Sequence, residues 1–186
     1  QLLTIKKKRS GRDSQGHVSV RHRGGEQKRF IRQIDWKRPF VDLKAKVIAI
    51  EYDPNRTAQI ALLVYPNGSQ SYILAPIGLK IGDTVVSSPT AAIKDGNRLP
   101  LKNIPVGLPI HCLEIRPGGG AKLIKSAGSA ARIQSIDGAK AIVKLPSGEI
   151  KIFSSESFAT IGQVGNEQHS SRKLTKAGDS RHRGIR

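Results

Sequence analysis

Methionine is absent from all 186 residues, position 1 included, and cysteine occurs once. The missing methionine sets the expectation that the start has been processed, or that the stretch belongs to a longer product. A single thiol excludes an internal disulfide framework and any multi-thiolate zinc site. That thiol, Cys112, sits in the apolar stretch Pro109-Ile110-His111-Cys112-Leu113 and reads as a buried small hydrophobe. No apolar run approaches the roughly 18 residues of a membrane span. The opening Gln-Leu-Leu-Thr-Ile is too short for the core of a signal peptide. Aromatic residues make up only 4% of the chain. Stacking platforms for single-stranded nucleic acid need several on one sheet face, so a general single-strand binder is disfavoured. Trp36, Tyr52, Tyr65 and Tyr72 are expected to complete cores.

Catalytic groupings are also missing. The histidines at 17, 22, 111, 169 and 182 show no His-x-x-x-His spacing. Carboxylates are few and stand near turns, as at Asp53, Asp83, Asp95 and Asp137, where capping is their default role. The Ser-x-x-Lys match at Ser170–Lys173 has no second element beside it. Pro117-Gly118-Gly119-Gly120-Ala121-Lys122 lacks the Gly-Lys-Ser/Thr ending of a nucleotide-binding loop. Neither an enzyme, a metal site nor a cofactor is expected.

What is present is positive charge, distributed unevenly. Thirty-two Lys and Arg face 14 acids, for a net charge of +18. Residues 1–38 hold twelve bases against three acids, and residues 169–186 hold six against one, so the two ends carry +14. Basic, glycine-spaced ends around a nearly balanced body are the electrostatic footprint of a protein that lives against a polyanion. The bland reading is a solvated charge run or a targeting signal. Arg21-His22-Arg23-Gly24-Gly25 favours nucleic acid, because donors stand beside residues whose backbone can approach phosphates closely. Lys6-Lys7-Lys8-Arg9 needs no fixed geometry to release counterions. With few apolar side chains, each end is expected to stay mobile until it meets a partner.

Between the ends, 19 Gly and 10 Pro leave no stretch free of both longer than Phe40 to Asp53. Short strands joined by turns follow from that punctuation. Ile60–Tyr65 and Tyr72–Ala75 flank Asn67-Gly68, a two-residue hairpin signal. The run Val47–Ile50 predicts a strand covered on both faces. Ala131–Ile136, Ala139–Leu145 and Glu149–Phe153, joined by Asp137-Gly138 and Ser147-Gly148, predict a three-stranded meander. In its middle strand Ala141, Val143 and Leu145 alternate with Lys140, Ile142 and Lys144. Leu99 to Pro109, with three prolines, reads as an extended connector between two small barrels in tandem.

Several motifs carry a resemblance. Arg21-His22-Arg23-Gly24-Gly25, Ile50-Glu51-Tyr52-Asp53-Pro54-Asn55-Arg56, Tyr72-Ile73-Leu74-Ala75-Pro76 and Asn103-Ile104-Pro105-Val106-Gly107 stand in order. Ser126-Ala127-Gly128, Leu145-Pro146-Ser147-Gly148-Glu149, Ala159-Thr160-Ile161-Gly162, Lys176-Ala177-Gly178 and Gly184-Ile185-Arg186 follow. The set resembles, over essentially the whole chain, the universal second protein of the large ribosomal subunit in its bacterial and organellar form. The resemblance implies a mainly β fold, an OB-like barrel followed by an SH3-like barrel, with extended basic arms. The expected division is an arm over 1–29, barrels over 30–99 and 100–165, and a second arm over 166–186.

It further implies a structural constituent of the large subunit that binds ribosomal RNA near the peptidyl-transferase centre and supports subunit assembly and association. Its partners would be large-subunit ribosomal RNA and neighbouring ribosomal proteins, with no membrane. Its place would be the ribosome of a mitochondrial or plastid matrix or of a bacterial cytoplasm. The alternative is a non-ribosomal RNA-binding translation or transcription factor on the same barrels. The RNA contacts implied at matching positions begin with Lys6, Lys7, Lys8, Arg9 and Arg12, then Arg21, His22, Arg23, Gly24, Gly25, Lys28 and Arg29. They continue with Arg56, Arg116, Lys122 and Lys125, and end with Arg172, Lys173, Lys176, Arg181, Arg183 and Arg186.

Two departures stand out. Glu26-Gln27-Lys28 replaces the family's usual Gly-His-Lys, putting an acid that weakens phosphate attraction or pairs with Arg23 or Arg29. The family's Gly- and His-rich continuation is not in the sequence, and His182 stands where Trp is common. Either a separate chain supplies that extension, as in a split protein, or the remainder lies outside this sequence.

Overall fold

Two hairpins with the same wiring mark the two halves of the chain. In the first, Tyr65 N donates to Ser69 O at 2.9 Å and Gly68 N to Tyr65 O at 2.9 Å. In the second, Leu145 N donates to Glu149 O at 2.8 Å and Gly148 N to Leu145 O at 2.9 Å. Each turn places proline second and glycine fourth, at φ +78° for Gly68 and +88° for Gly148. Proline's fixed φ begins a type I turn, and glycine then takes the left-handed conformation that a Cβ disfavours. The first hairpin therefore differs from the two-residue Asn-Gly turn expected of it. Pro66 opens the turn one residue early, and Asn67 is not among the residues of positive φ.

The computed structural model describes residues 2–5 and 7–185. Strand β1 (Leu3–Ile5) pairs antiparallel with β2 (Phe30–Arg32), so residues 7–29 loop out between them. Next come β3 (Ala45–Glu51), β4 (Ile60–Val64), β5 (Gln70–Leu74) and β6 (Thr84–Val85). They form an antiparallel sheet in the order β5-β4-β3-β6. The second half holds β7 (Arg98–Pro100), β8 (Pro109–His111), β9 (Leu113–Glu114), β10 (Ala121–Leu123), β11 (Ala131–Asp137), β12 (Lys140–Lys144), β13 (Ile150–Ser154) and β14 (Phe158–Ile161). Six of these strands make a sheet in the order β13-β12-β11-β8-β14-β7, and β9 pairs with β10. The one α-helix among the described residues, α1 (Ala177–His182), is short. Among the described residues, no helix is long and apolar enough to cross a membrane. The fold is mainly β, in the expected OB-like and SH3-like order. The three-stranded meander β11-β12-β13 forms as its alternation requires, with Ala141 and Val143 buried and Lys140 and Lys144 exposed.

Two further expectations are corrected. The Val47–Ile50 strand is not covered on both faces, since Ile48 is 47% exposed. A register shift between Val47 and Ala49 makes Ile48 the extra residue of a bulge and turns it outward. The proline-rich segment after Leu99 is not a free connector. Arg98–Pro100 pairs with β14, a 3-10 turn spans Leu101–Asn103, and Leu101 and Ile104 are buried in the second core.

One core packs Val47, Leu63, Tyr65, Ile73 and Val85, and another packs Leu99, Leu101, Ile110, Ile133 and Val143. A third cluster spans both halves, with Ile60, Tyr72 and Leu74 from the first and Cys112, Ala121 and Val164 from the second. Full burial of each such Leu or Ile stabilises the fold by about 1.5–3 kcal/mol. Backbone bonds run across the same seam, Ala121 N to Trp36 O at 2.9 Å, Ile77 N to Gln163 O at 2.8 Å and Gly165 N to Ala75 O at 2.9 Å.

Candidate nucleic-acid interface

The loop between β1 and β2 is locally built by short polar side chains. Asp13 Oδ1 accepts the backbone N–H groups of Gln15 and His17, both at 2.9 Å. Gly11 O accepts Ser19 N at 2.9 Å and Val20 N at 3.0 Å, and Arg12 bridges to Val18. The loop then meets the end of the chain. Gly24 N donates to Gly184 O at 3.2 Å, Gln27 N to His182 O at 3.1 Å, and Arg23 forms an antiparallel bridge with Ile185. Arg29 reinforces the junction, its guanidinium donating to His182 O at 3.0 Å and Pro54 O at 3.2 Å.

A cavity of about 370 Å³ lies at this junction, lined by Lys7, Arg9 and Arg23 from one arm and Arg183 from the other. Arg183 also borders a second hollow of about 220 Å³ with Arg29, Tyr52 and Arg56. Arg56 in turn lies beside Trp36, its guanidinium carbon 4.9 Å from the ring centroid, while its Nε pairs with the buried Asp53 at 3.1 Å. Lys125 stands on the same ring system with Nζ 3.8 Å from the centroid. Trp36, Lys37, Lys122 and Lys125 line a groove of about 600 Å³ between the barrels. One basic track thus runs from both arms, past Arg56, to the groove between the barrels. Burial lowers the pKa of Lys125, and the nearby Arg56 and Lys122 push it further down, against a raising effect of Cys112. An anion in the groove would relieve that repulsion.

The glycine loop before Lys122 is held from within. Glu114, fully buried, accepts Gly120 N at 3.0 Å and Gly118 N at 3.2 Å, together with Phe158 N at 3.1 Å and Arg98 Nη2 at 2.5 Å. Gly120 is favoured by its left-handed φ of +73° and by a tight approach, since a Cβ there would lie 3.2 Å from Trp36 O. Beneath the groove, Arg98 also donates to Lys37 O, and Arg38 Nη1 donates to Gly96 O at 2.8 Å. Burial lowers the pKa of both guanidinium groups. His111, buried with Nδ1 2.7 Å from Gly162 O, is lowered by burial to about 4, and the Cys112 thiol is pushed up by burial to about 12. Cys112 is accordingly a buried, inert thiol, as expected. Among the described residues, no group of three or more His, Cys, Asp or Glu is placed to hold a metal ion.

The expected contacts therefore divide. Lys7, Arg9, Arg23, Gly24, Arg29, Arg56, Lys122, Lys125 and Arg183 line the track. Lys8, Arg12, Arg21, His22, Gly25, Lys28, Arg116, Arg172, Lys173, Lys176 and Arg181 are exposed but line none of these three hollows. Lys6 and Arg186 lie outside the described residues. Gly24 and Gly25 have positive φ, +139° and +68°, so backbone geometry favours glycine there even without RNA.

Three participants escaped the sequence reading. Tyr52, expected in a core, is 66% exposed because β3 ends at Glu51, just before the Asp53-Pro54 turn. Trp36 is half-buried and serves as a platform for cations, whereas Tyr65 and Tyr72 are buried as expected. Lys37 gave no signal because its groove partner Lys122 is far along the chain.

Comparison with known families decides the affiliation. Residues 1–87 match the family described as Ribosomal Proteins L2, RNA binding N-terminal domain, and residues 94–186 match Ribosomal Proteins L2, C-terminal domain. The chain belongs to the ribosomal protein L2 family. It is a structural, RNA-binding protein of the large ribosomal subunit, and its place is the ribosome. Membership also gives the chain its partners, large-subunit ribosomal RNA and other ribosomal proteins.

Proposed function

We propose that this L2-family chain docks on ribosomal RNA near the peptidyl-transferase centre, where it supports assembly of the large subunit and association of the subunits. It catalyses no reaction itself; its contribution is to hold RNA segments in a fixed arrangement. The observation that carries this reading is the single track of cations from both arms and both barrels. Phosphate contacts of that kind position a protein on folded RNA without reading sequence. Tyr52 on the track offers an exposed ring on which an unpaired base can stack. Lys8, Arg12, Arg21, Lys28, Arg116, Arg172, Lys173, Lys176 and Arg181 join the interface as exposed cations that approach neighbouring helices.

Chemical footprinting of large subunits with and without the protein tests the location. Protection is expected in the domain surrounding the peptidyl-transferase centre and in helices facing the small subunit. Protection confined to distant RNA domains would overturn the proposed position. Depletion should leave precursor particles that sediment slowly, and normal particles after depletion would overturn the assembly role.

A further inference from the structure

The charged arms lie at opposite ends of the sequence, yet they share one cavity. We propose that they form a single clasp for RNA backbone phosphates, closed when the arms pair and held closed by the phosphates it grips. This rests on the RNA-binding reading and adds that the arms act as one cooperative unit.

Three observations support it. The arms are joined by backbone bonds, Gly24 N to Gly184 O and Gln27 N to His182 O, and by the bridge between Arg23 and Ile185. Gly24 and Gly184 are the buried residues among the described parts of the arms, so the pairing seam is the most protected part of either. Lys7, Arg9 and Arg23 from one arm then face Arg183 from the other around about 370 Å³, with Glu26 and Ser10 also on the wall. Water occupies about 30 Å³ per molecule in the liquid, so the space admits phosphate oxygens with some hydration.

Electrostatics supplies the coupling. Pairing the arms adds Arg183 to three cations that outnumber the Glu26 carboxylate on the same wall, and the net repulsion opposes closure in the free protein. Phosphodiester groups entering the cavity remove that opposition and accept charge-assisted hydrogen bonds from both sides. Whatever binds the closed form better must also stabilise closure, by linkage. A site of this shape suits a sharp turn of the RNA, or two strands in close approach, where phosphates crowd.

A double-substitution cycle on the full chain tests the clasp, using a structured large-subunit ribosomal RNA fragment as probe. Arg9→Ala and Arg183→Ala are each expected to lower affinity by about 10-fold, the scale of one charged hydrogen bond. Together they should lower it by less than about 30-fold, because removing one side already opens the site. Arg9→Ala with Lys122→Ala, on separate cavities, should show the full product of about 100-fold. A product-sized loss for Arg9 with Arg183 overturns the clasp and leaves RNA binding intact. A wild-type chain with no salt-dependent affinity overturns the underlying reading instead. Hydrogen exchange gives a second readout: RNA should protect the Gly24 and Gln27 amides in wild type far more than in Arg183→Ala. Equal protection would also overturn the proposal.

Discussion

Glu114 brings two charges and three backbone donors into one dry place. Its carboxylate pairs with Arg98 and accepts Gly118 N, Gly120 N and Phe158 N, all with no solvent exposure of its own. Removing it leaves Arg98 buried and unpaired, which typically costs about 3–5 kcal/mol. Glu114→Ala should therefore lower the urea midpoint sharply and loosen the glycine loop before Lys122. Glu114→Gln, which keeps an acceptor, should cost less. Equal and small losses for both variants would refute this account.

His111 makes a prediction at the same scale. Burial, acting against its bond to Gly162 O and aided by Arg38, holds it neutral with a pKa of about 4. The unfolded histidine titrates near 6.5, so between these values the unfolded chain binds more protons. The favourable contribution is complete above pH 6.5 and is lost as pH falls towards 4. The loss amounts to about 3 kcal/mol. His111→Asn, which cannot titrate, should flatten the stability profile in this window. A profile as steep as wild type would exclude His111 as the cause.

At the scale of elements, the twin Pro-x-Gly hairpins follow from local chemistry. Gly68→Ala or Gly148→Ala places a Cβ in the left-handed region and should cost about 1–2 kcal/mol each. Nothing lies within 4 Å of a Cβ at either site, so the cost would be conformational and not a clash. Denaturant melts of the two single variants should give similar losses, and unchanged stability would contradict the turn assignment. The places of both hairpins were legible in the sequence because turn residues act locally, but the Asn67-Gly68 signal hid the part Pro66 plays in opening the first turn. The alternation through Ala141 and Val143 was legible for the same local reason. The bulge at Ile48 was not legible, because it depends on the register of β4 opposite. Nor was the place of Leu101 and Ile104, whose burial is decided by β14 more than fifty residues later. The candidate site divides in the same way. Its charge was visible in composition, but the convergence of Arg29 on His182, 153 positions apart, belongs to the tertiary fold.

For the whole molecule, affinity should be governed by counterion release. Each Arg→Ala or Lys→Ala along the track that frees one phosphate should remove about 0.7–0.9 from the slope of log affinity against log salt. Trp36 is the only tryptophan, so its emission reports the groove between the barrels directly. Adding ribosomal RNA should change that emission at low salt, with reversal at high salt. Constant emission under saturating RNA would remove the groove from the interface.

The interlock between the halves bears on the order of synthesis. Arg38 closes on Gly96 O, Arg98 awaits Glu114, and Glu114 completes its donors only when Phe158 arrives. A nascent chain that stops short of Gly96 would thus hold the Arg38 guanidinium without that acceptor. Docking of the two halves is therefore expected to be cooperative, since neither side of the seam is satisfied until the other is in place.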